Sequence, residues 1–221
     1  SQSLNIGAAT IALKIGGDTF SNYFKKFGFG QKTGIDQPNE QKGLTKNLDT
    51  KRDIEIATAS YGQGISMTPM QTIRALSILA NGGNLIIPHI VNKIEYTDGT
   101  SQMIENIKTP IVSKETVDEV TEMLIQVVDK ALKKGQVKME NYSIAAKTGT
   151  AQIANPETKG YYDDRFLHSF FGYFPAHNPR FIIFLYHVNP KNVNFASETL
   201  TDPFIKLTKF LINYYEIPPD R

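Results

Sequence analysis

The 221 residues include no cysteine, which excludes disulfides, thiol nucleophiles and thiolate metal sites and is compatible with any compartment. A large excess of either charge sign is also missing. A formal net charge of +2 gives no electrostatic argument for nucleic acid or for an acidic membrane surface. The densest basic spot, Lys133-Lys134, reads as the end of a helix. No apolar run is long enough to cross a bilayer, and the longest, "FIIFLYHV" at 181–188, has the length of a buried strand. No leader peptide is visible and the first residue is serine, which suggests a piece of something longer. Asp53 and Glu55 do not form the paired carboxylates that glycoside hydrolysis needs.

What is present is an ordinary globular balance, with 40% hydrophobic and 21% charged residues. Residues 7–28 read as two short helices broken at Gly16-Gly17, with Asp18 as N-cap of the second. Residues 28–48 are rich in Gly and Pro and read as an irregular connection. Thr68-Pro69-Met70-Gln71 opens a helix: Thr68 caps, Pro69 takes the first helical position and Gln71 completes a capping box. Asn81-Gly82-Gly83 closes it. Residues 85–96 are β-like but interrupted by Pro88, and "TDGT" follows as a hairpin turn. An amphipathic helix is expected from Thr116 to Lys134, capped by Thr116 with Glu119. Strands are expected at 143–152, 168–175 and 180–188, and a last helix at 202–215. Together these predict one α/β domain over 1–221: helices first, then an antiparallel sheet closed by a C-terminal helix.

The tripeptide Lys-Thr-Gly occurs twice. Lys32-Thr33-Gly34 sits in the turn-rich connection, where a solvated loop is the natural reading. Lys147-Thr148-Gly149 is followed by Thr150 and preceded by Ala145-Ala146, small residues that let a strand pack tightly. On a strand, Lys147 and Gly149 face one way and Thr148 and Thr150 the other. Such a strand supplies a fixed cation, two hydroxyls and an accessible backbone N–H that can serve an oxyanion. His168 and His187, at the ends of apolar strands, read as structural histidines. Tyr161, Tyr162, Asp163, Asp164 and Arg165 read as a solvated loop at a cleft rim.

Near the start stands Ser3-Leu4-Asn5, a Ser-x-Asn that by itself is only a helix cap. Paired with the later Lys-Thr-Gly-Thr, it resembles the second and third motifs of the penicillin-recognising serine acyltransferases. The segments "SLNIG", "FGFGQKTGID", "YGQGISMTPMQ", "ANGG", "AAKTGTAQ", "HSFFGYFPAHNPRF" and "IPPD" occur in an order and spacing similar to the C-terminal part of class B penicillin-binding proteins, the peptidoglycan D,D-transpeptidases. The resemblance implies the transpeptidase fold, an antiparallel sheet flanked by helices, without the N-terminal part of that domain. "FGFGQKTGID" falls in the resemblance as a connection away from the catalytic strand.

The resemblance also implies roles. Ser3 would relay protons between a serine nucleophile and the leaving amine, and Asn5 would orient the substrate amide. Lys147 would hold Ser3 in register and supply positive potential for the donor's carboxylate. Thr148 and Thr150 would offer hydroxyls there, the Thr150 N–H would form half of the oxyanion hole, and Gly149 would keep the strand open. No metal and no cofactor are implied.

Implied partners are peptidoglycan stem peptides on lipid-linked precursor and glycan strands, β-lactam antibiotics, a membrane glycosyltransferase and division or elongation complex proteins, but no nucleic acid. The implied location is the outer face of a bacterial cell membrane, through an anchor beyond this chain. The Ser-x-x-Lys motif that carries the nucleophile is missing, since no serine has a lysine three positions on; Ser143 and Lys147 are four apart. Two alternatives stand beside the transpeptidase: an inactive penicillin-binding scaffold in a cell-wall complex, and a D,D-carboxypeptidase or serine β-lactamase on the same fold.

Overall fold

A computed structural model describes residues 3–50 and 52–221; Ser1, Gln2 and Lys51 lie outside the described residues. The chain divides into two compact units, residues 5–114 and residues 1–4 with 115–221. Each is described by itself.

The unit of residues 5–114 begins with α1 (Asn5–Ile15) and α2 (Gly17–Lys26). Gly16 takes the capping position of α2 at φ 87°, so Asp18, expected as the cap, lies inside the first turn instead. The short helices α3 (Asn47–Thr50) and α4 (Asp53–Ala59) follow, and Ala12, Leu48, Ile56 and Ala59 form the local core with Phe20 and Phe24 against it. Helix α5 (Pro69–Ala80) starts as its sequence dictates. The Gln71 N–H donates to Thr68 Oγ1 at 3.1 Å, and the Thr68 N–H donates to Gln71 Oε1 at 3.0 Å. Strand β1 (Asn84–Ile86) stops before Pro88 and pairs with β4 (Lys108–Pro110). The expected turn joins β2 (Lys93–Glu95) to β3 (Ser101–Met103), an antiparallel hairpin exposed on both strands.

The connection at 28–48 is more built than its composition suggests. Thr33 is buried, and Glu40 holds the first Lys-Thr-Gly turn: its carboxylate accepts from the Thr33 N–H at 2.6 Å, from the Thr33 hydroxyl and from the Gly34 N–H at 3.1 Å. The Asp36 carboxylate accepts from the Ile90 and Val91 N–H groups, each at 2.8 Å. A solvated loop therefore describes Lys32, which is exposed, but not the buried Thr33 beside it.

In the other unit, α6 (Lys114–Gln126) begins two residues before Thr116, which lies in its first turn rather than capping it. The helix loosens into a π-turn (Val127–Ala131), and Lys133 and Lys134 adopt left-handed φ values of 46° and 58°. The basic pair thus marks the helix end, in a conformation that two consecutive lysines rarely adopt. The sheet follows, β5 (Ala145–Asn155), β6 (Gly160–Phe174) and β7 (Phe181–Val188), antiparallel in that order.

Strand β6 is far longer than expected, because residues 161–165 continue it as the returning arm of a β5–β6 ribbon rather than forming a loop. These residues lack the apolar run that marks a covered strand; Tyr161 pairs with Ala154, and after a register shift the ladder resumes where Phe166 opposes Gln152. The short α7 (Ala196–Thr199) leads into α8 (Thr201–Tyr214). Alternation along β6 turns Phe170, Gly172 and Phe174 towards α8, where the Phe170 and Phe204 rings stack at 4.4 Å. These residues join Val128, Leu132, Ile144, Ala146, Ile212 and Ile217 in one core. On the opposite face the Tyr173 hydroxyl meets Thr121 Oγ1 at 2.7 Å, a buried contact with α6.

The last residues are pinned. Asp220 accepts from the Ser143 N–H at 2.7 Å and from the Ser143 hydroxyl, while Arg221 forks onto Asp129 at 2.6 and 2.9 Å. Ser143, four positions before Lys147, is fully buried two residues before β5 and holds the Ala176 N–H at 2.9 Å.

Candidate active site

Ala145 and Ala146 are buried where β5 enters the core, and burial decreases along the strand until Gly149 and Thr150 are exposed. Among the described residues β5 has β6 on one side only and so stands at the edge of the three-stranded sheet. An edge strand presents a row of backbone donors and acceptors that an extended peptide can pair with.

The register opposes Lys147 to Phe171, Gly149 to Ser169 and Thr150 to His168. Lys147 and Gly149 thus share one face with Ser169, and Thr148 and Thr150 share the other with Phe170 and His168. On the first face, the Lys147 ammonium donates to Ser3 Oγ at 3.2 Å and to the Thr148 carbonyl at 2.8 Å. Among the described residues no carboxylate pairs with it. Burial holds its proton affinity below the ordinary lysine value of 10.5, because desolvation disfavours the ammonium.

A hydroxyl that accepts from this ammonium keeps its own proton to give, and a Lys–Ser pair of this kind can pass a proton to a departing amine. Gly149 has a local reason as well: a Cβ there would stand 2.6 Å from Ser169 Oγ.

The second face carries a feature that sequence reasoning missed. Thr150 Oγ1 accepts from the Ala196 N–H at 3.0 Å, so the threonine at the end of the motif is tied to the segment between β7 and α8. The signal lay in the register, which sets His168 opposite Thr150, and a register is not written in composition. His168 is fully buried and bonds the same segment, with Nδ1 2.9 Å from Thr199 Oγ1 and Nε2 3.3 Å from the Asn194 carbonyl. It is the structural histidine that was expected; His187, across from it on β7, is exposed.

The structure therefore brings Ser3, Lys147, Thr148, Gly149 and Thr150 onto or against one strand. Asn5 opens α1 in the other unit.

A lysine on a strand of this antiparallel sheet thus holds a serine hydroxyl, the pairing that the family resemblance implied. Residues 1–207 match the penicillin binding protein transpeptidase domain, and the chain belongs to that family. Among its relatives, Stage V sporulation protein D of Bacillus subtilis is 32% identical over 207 residues, covering 92% of this chain and 31% of that protein. The peptidoglycan D,D-transpeptidase FtsI of Buchnera aphidicola subsp. Schizaphis graminum is 30% identical over 220 residues, covering 99% and 37%. Penicillin binding protein 3 from Mycobacterium tuberculosis, solved in complex with aztreonam, superposes with a TM-score of 0.89 at 28% identity, covering 100% of this chain and 51% of that one. The fold is thus that of the penicillin-binding transpeptidases, and the chain spans about a third of the length of these curated relatives.

Proposed function

We propose that the whole protein is a peptidoglycan D,D-transpeptidase, in which residues 1–221 form the C-terminal portion of the transpeptidase domain. The observation that carries this reading is the Lys147–Ser3 hydrogen bond on an edge strand of a family domain. In the proposed reaction a serine of a Ser-x-x-Lys motif outside these residues attacks the carbonyl between the two terminal D-alanines of a stem peptide. Ser3 passes the proton to the leaving D-alanine amine, and an amine of a neighbouring stem then takes the acyl group.

Asn5 orients the substrate amide. Lys147 fixes Ser3 and, with the hydroxyls of Thr148 and Thr150, draws the donor's terminal carboxylate. The Thr150 N–H stabilises the oxyanion, and Gly149 leaves the strand open to the substrate. A β-lactam enters the same path and stays as an acyl adduct, in keeping with the aztreonam held by the mycobacterial relative.

The name of one relative, peptidoglycan D,D-transpeptidase, supports a place in cell-wall synthesis. Lipid-linked precursor and glycan strands are the proposed substrates, and the outer face of the membrane is the proposed location. A membrane glycosyltransferase and a division or elongation complex are the proposed neighbours. Among the described residues no helix is long and apolar enough to cross a membrane.

Labelling the whole protein with a fluorescent penicillin tests the reading. A covalent band mapped to a Ser-x-x-Lys serine supports it. A folded protein that takes no label is instead the scaffold, and rapid turnover of the penicillin points to the carboxypeptidase or β-lactamase alternative.

A further inference from the structure

The segment at 194–199 is fastened to the sheet at three points, and two of them belong to one side chain. Neutral His168 has a defined tautomer here. The Asn194 carbonyl can only accept, so Nε2 carries the proton, and Nδ1 then accepts from the Thr199 hydroxyl. Thr199 Oγ1 also lies 3.4 Å from the Ala196 carbonyl, but its single proton goes to the nearer nitrogen.

The third point is the Ala196 N–H on Thr150 Oγ1. This bond has a chemical consequence. A hydroxyl has one proton and two lone pairs, and occupying one lone pair sets the rotor. The Thr150 proton is thereby directed away from Ala196 and left free to donate.

We propose that His168 is a positioning residue for acyl transfer: it pins residues 194–199 to β6 and, through the Ala196–Thr150 bond, holds the Thr150 hydroxyl as an oriented donor at the end of the Lys-Thr-Gly-Thr strand. The inference rests on the transpeptidase reading, because it gives the oriented hydroxyl a carboxylate to meet. His168 touches no substrate and acts only through this segment.

The pinning depends on a neutral ring. Burial holds His168 below the ordinary imidazole value of 6.5, outweighing the Asn194 bond. Exposed His187, its cross-strand partner on β7, disfavours the charge as well, and Glu198 on α7 favours it; the facing residue on β5 is the neutral Thr150. With its folded pKa lowered, the group contributes fully above 6.5 and its contribution is lost as pH falls below that value.

The test compares the whole wild-type protein with His168→Phe, which fills the space without bonding, and His168→Gln, which keeps a donor for Asn194 but does not titrate. Two readouts are taken: the acylation rate by a fluorescent penicillin across the acid range, and amide exchange of the peptide covering 194–199. His168→Phe is expected to lose about 10-fold or more in acylation rate and to exchange faster at 194–199. His168→Gln is expected to stay within about 3-fold of wild type at neutral pH and to lose the acid-side fall that wild type shows below about pH 6.5.

Unchanged exchange in His168→Phe overturns the proposal, and so does an acid-side fall shared by wild type and His168→Gln. If His168→Phe does not fold, His168→Gln and Thr199→Val decide on the same readouts, Thr199→Val being expected to speed exchange at 194–199. If wild type is not acylated at all, the transpeptidase reading fails, while exchange still decides whether His168 pins the segment.

Discussion

Lys147 and Ser3 stand 144 positions apart in the chain and 3.2 Å apart in space, the ammonium donating to the hydroxyl. The bond crosses from the first residues of the chain to the strand that carries the Lys-Thr-Gly-Thr motif. It joins two residues that sequence reasoning paired only through a family pattern.

Holding that ammonium half-buried without a carboxylate costs stability, because desolvation disfavours the charge. The folded pKa is lowered, so the associated stability is present above 10.5 and is already forfeited at neutral pH. Lys147→Met should therefore leave the melting temperature of the whole protein unchanged or raised while abolishing most acylation. A fall of more than about 4 °C would mean that the lysine serves mainly to hold the structure.

Gly172 lies where β6 passes close to α8 and to the start of β5. A Cβ there would stand 2.5 Å from Phe204 Cζ, 2.8 Å from Ala146 Cβ and 2.9 Å from the Ala145 carbonyl. The backbone carbonyl cannot step aside as a rotamer can. Gly172→Ala should destabilise by about 1–3 kcal/mol, measured by urea unfolding, and should slow acylation by displacing the start of β5. Wild-type stability in this variant would show that α8 sits less tightly on the sheet.

Gln71 is a buried polar hub. Its Nε2 donates to the Gln31 carbonyl at 2.5 Å and the Lys42 carbonyl at 2.9 Å, and its Oε1 accepts from the Thr68 N–H. Gln71→Leu keeps the volume but strands those backbone groups. The expected cost is roughly 2–4 kcal/mol, visible as a lower unfolding midpoint, whereas Gln71→Glu should fall between the two because it restores the acceptor alone. Equal stability of Gln71→Leu and wild type would contradict the hub.

Much of this was legible in the sequence. Thr68-Pro69-Met70-Gln71 announced its capping box, because a cap is a local interaction and its residues are adjacent. The apolar runs at 168–175 and 180–188 announced strands for the same reason. Residues 161–165 did not, since a ribbon arm in solvent needs no apolar face and is specified by its partner strand.

Thr33 and Glu40 are seven positions apart, and nothing in the turn's composition reveals that a carboxylate fills it. The pin between Asp220 and Ser143 and the bond between Thr150 and Ala196 join residues 77 and 46 positions apart. Contacts at that range follow from tertiary packing. The sequence displayed the residues of the candidate site, and the fold supplied what orients them.

In the proposed transpeptidase the second Lys-Thr-Gly does chemistry and the first does not. The decisive measurement is the second-order rate of acylation of the whole protein by penicillin, with circular dichroism confirming that each variant is folded. Lys147→Ala should lose on the order of 10²- to 10⁴-fold, the range of positioned proton-transfer and oxyanion groups. Lys32, exposed beside the Glu40-filled turn, should change the rate by less than about 2-fold when replaced by alanine, as solvated surface charges do. Comparable losses at the two lysines, or a greater loss at Lys32, would contradict the account.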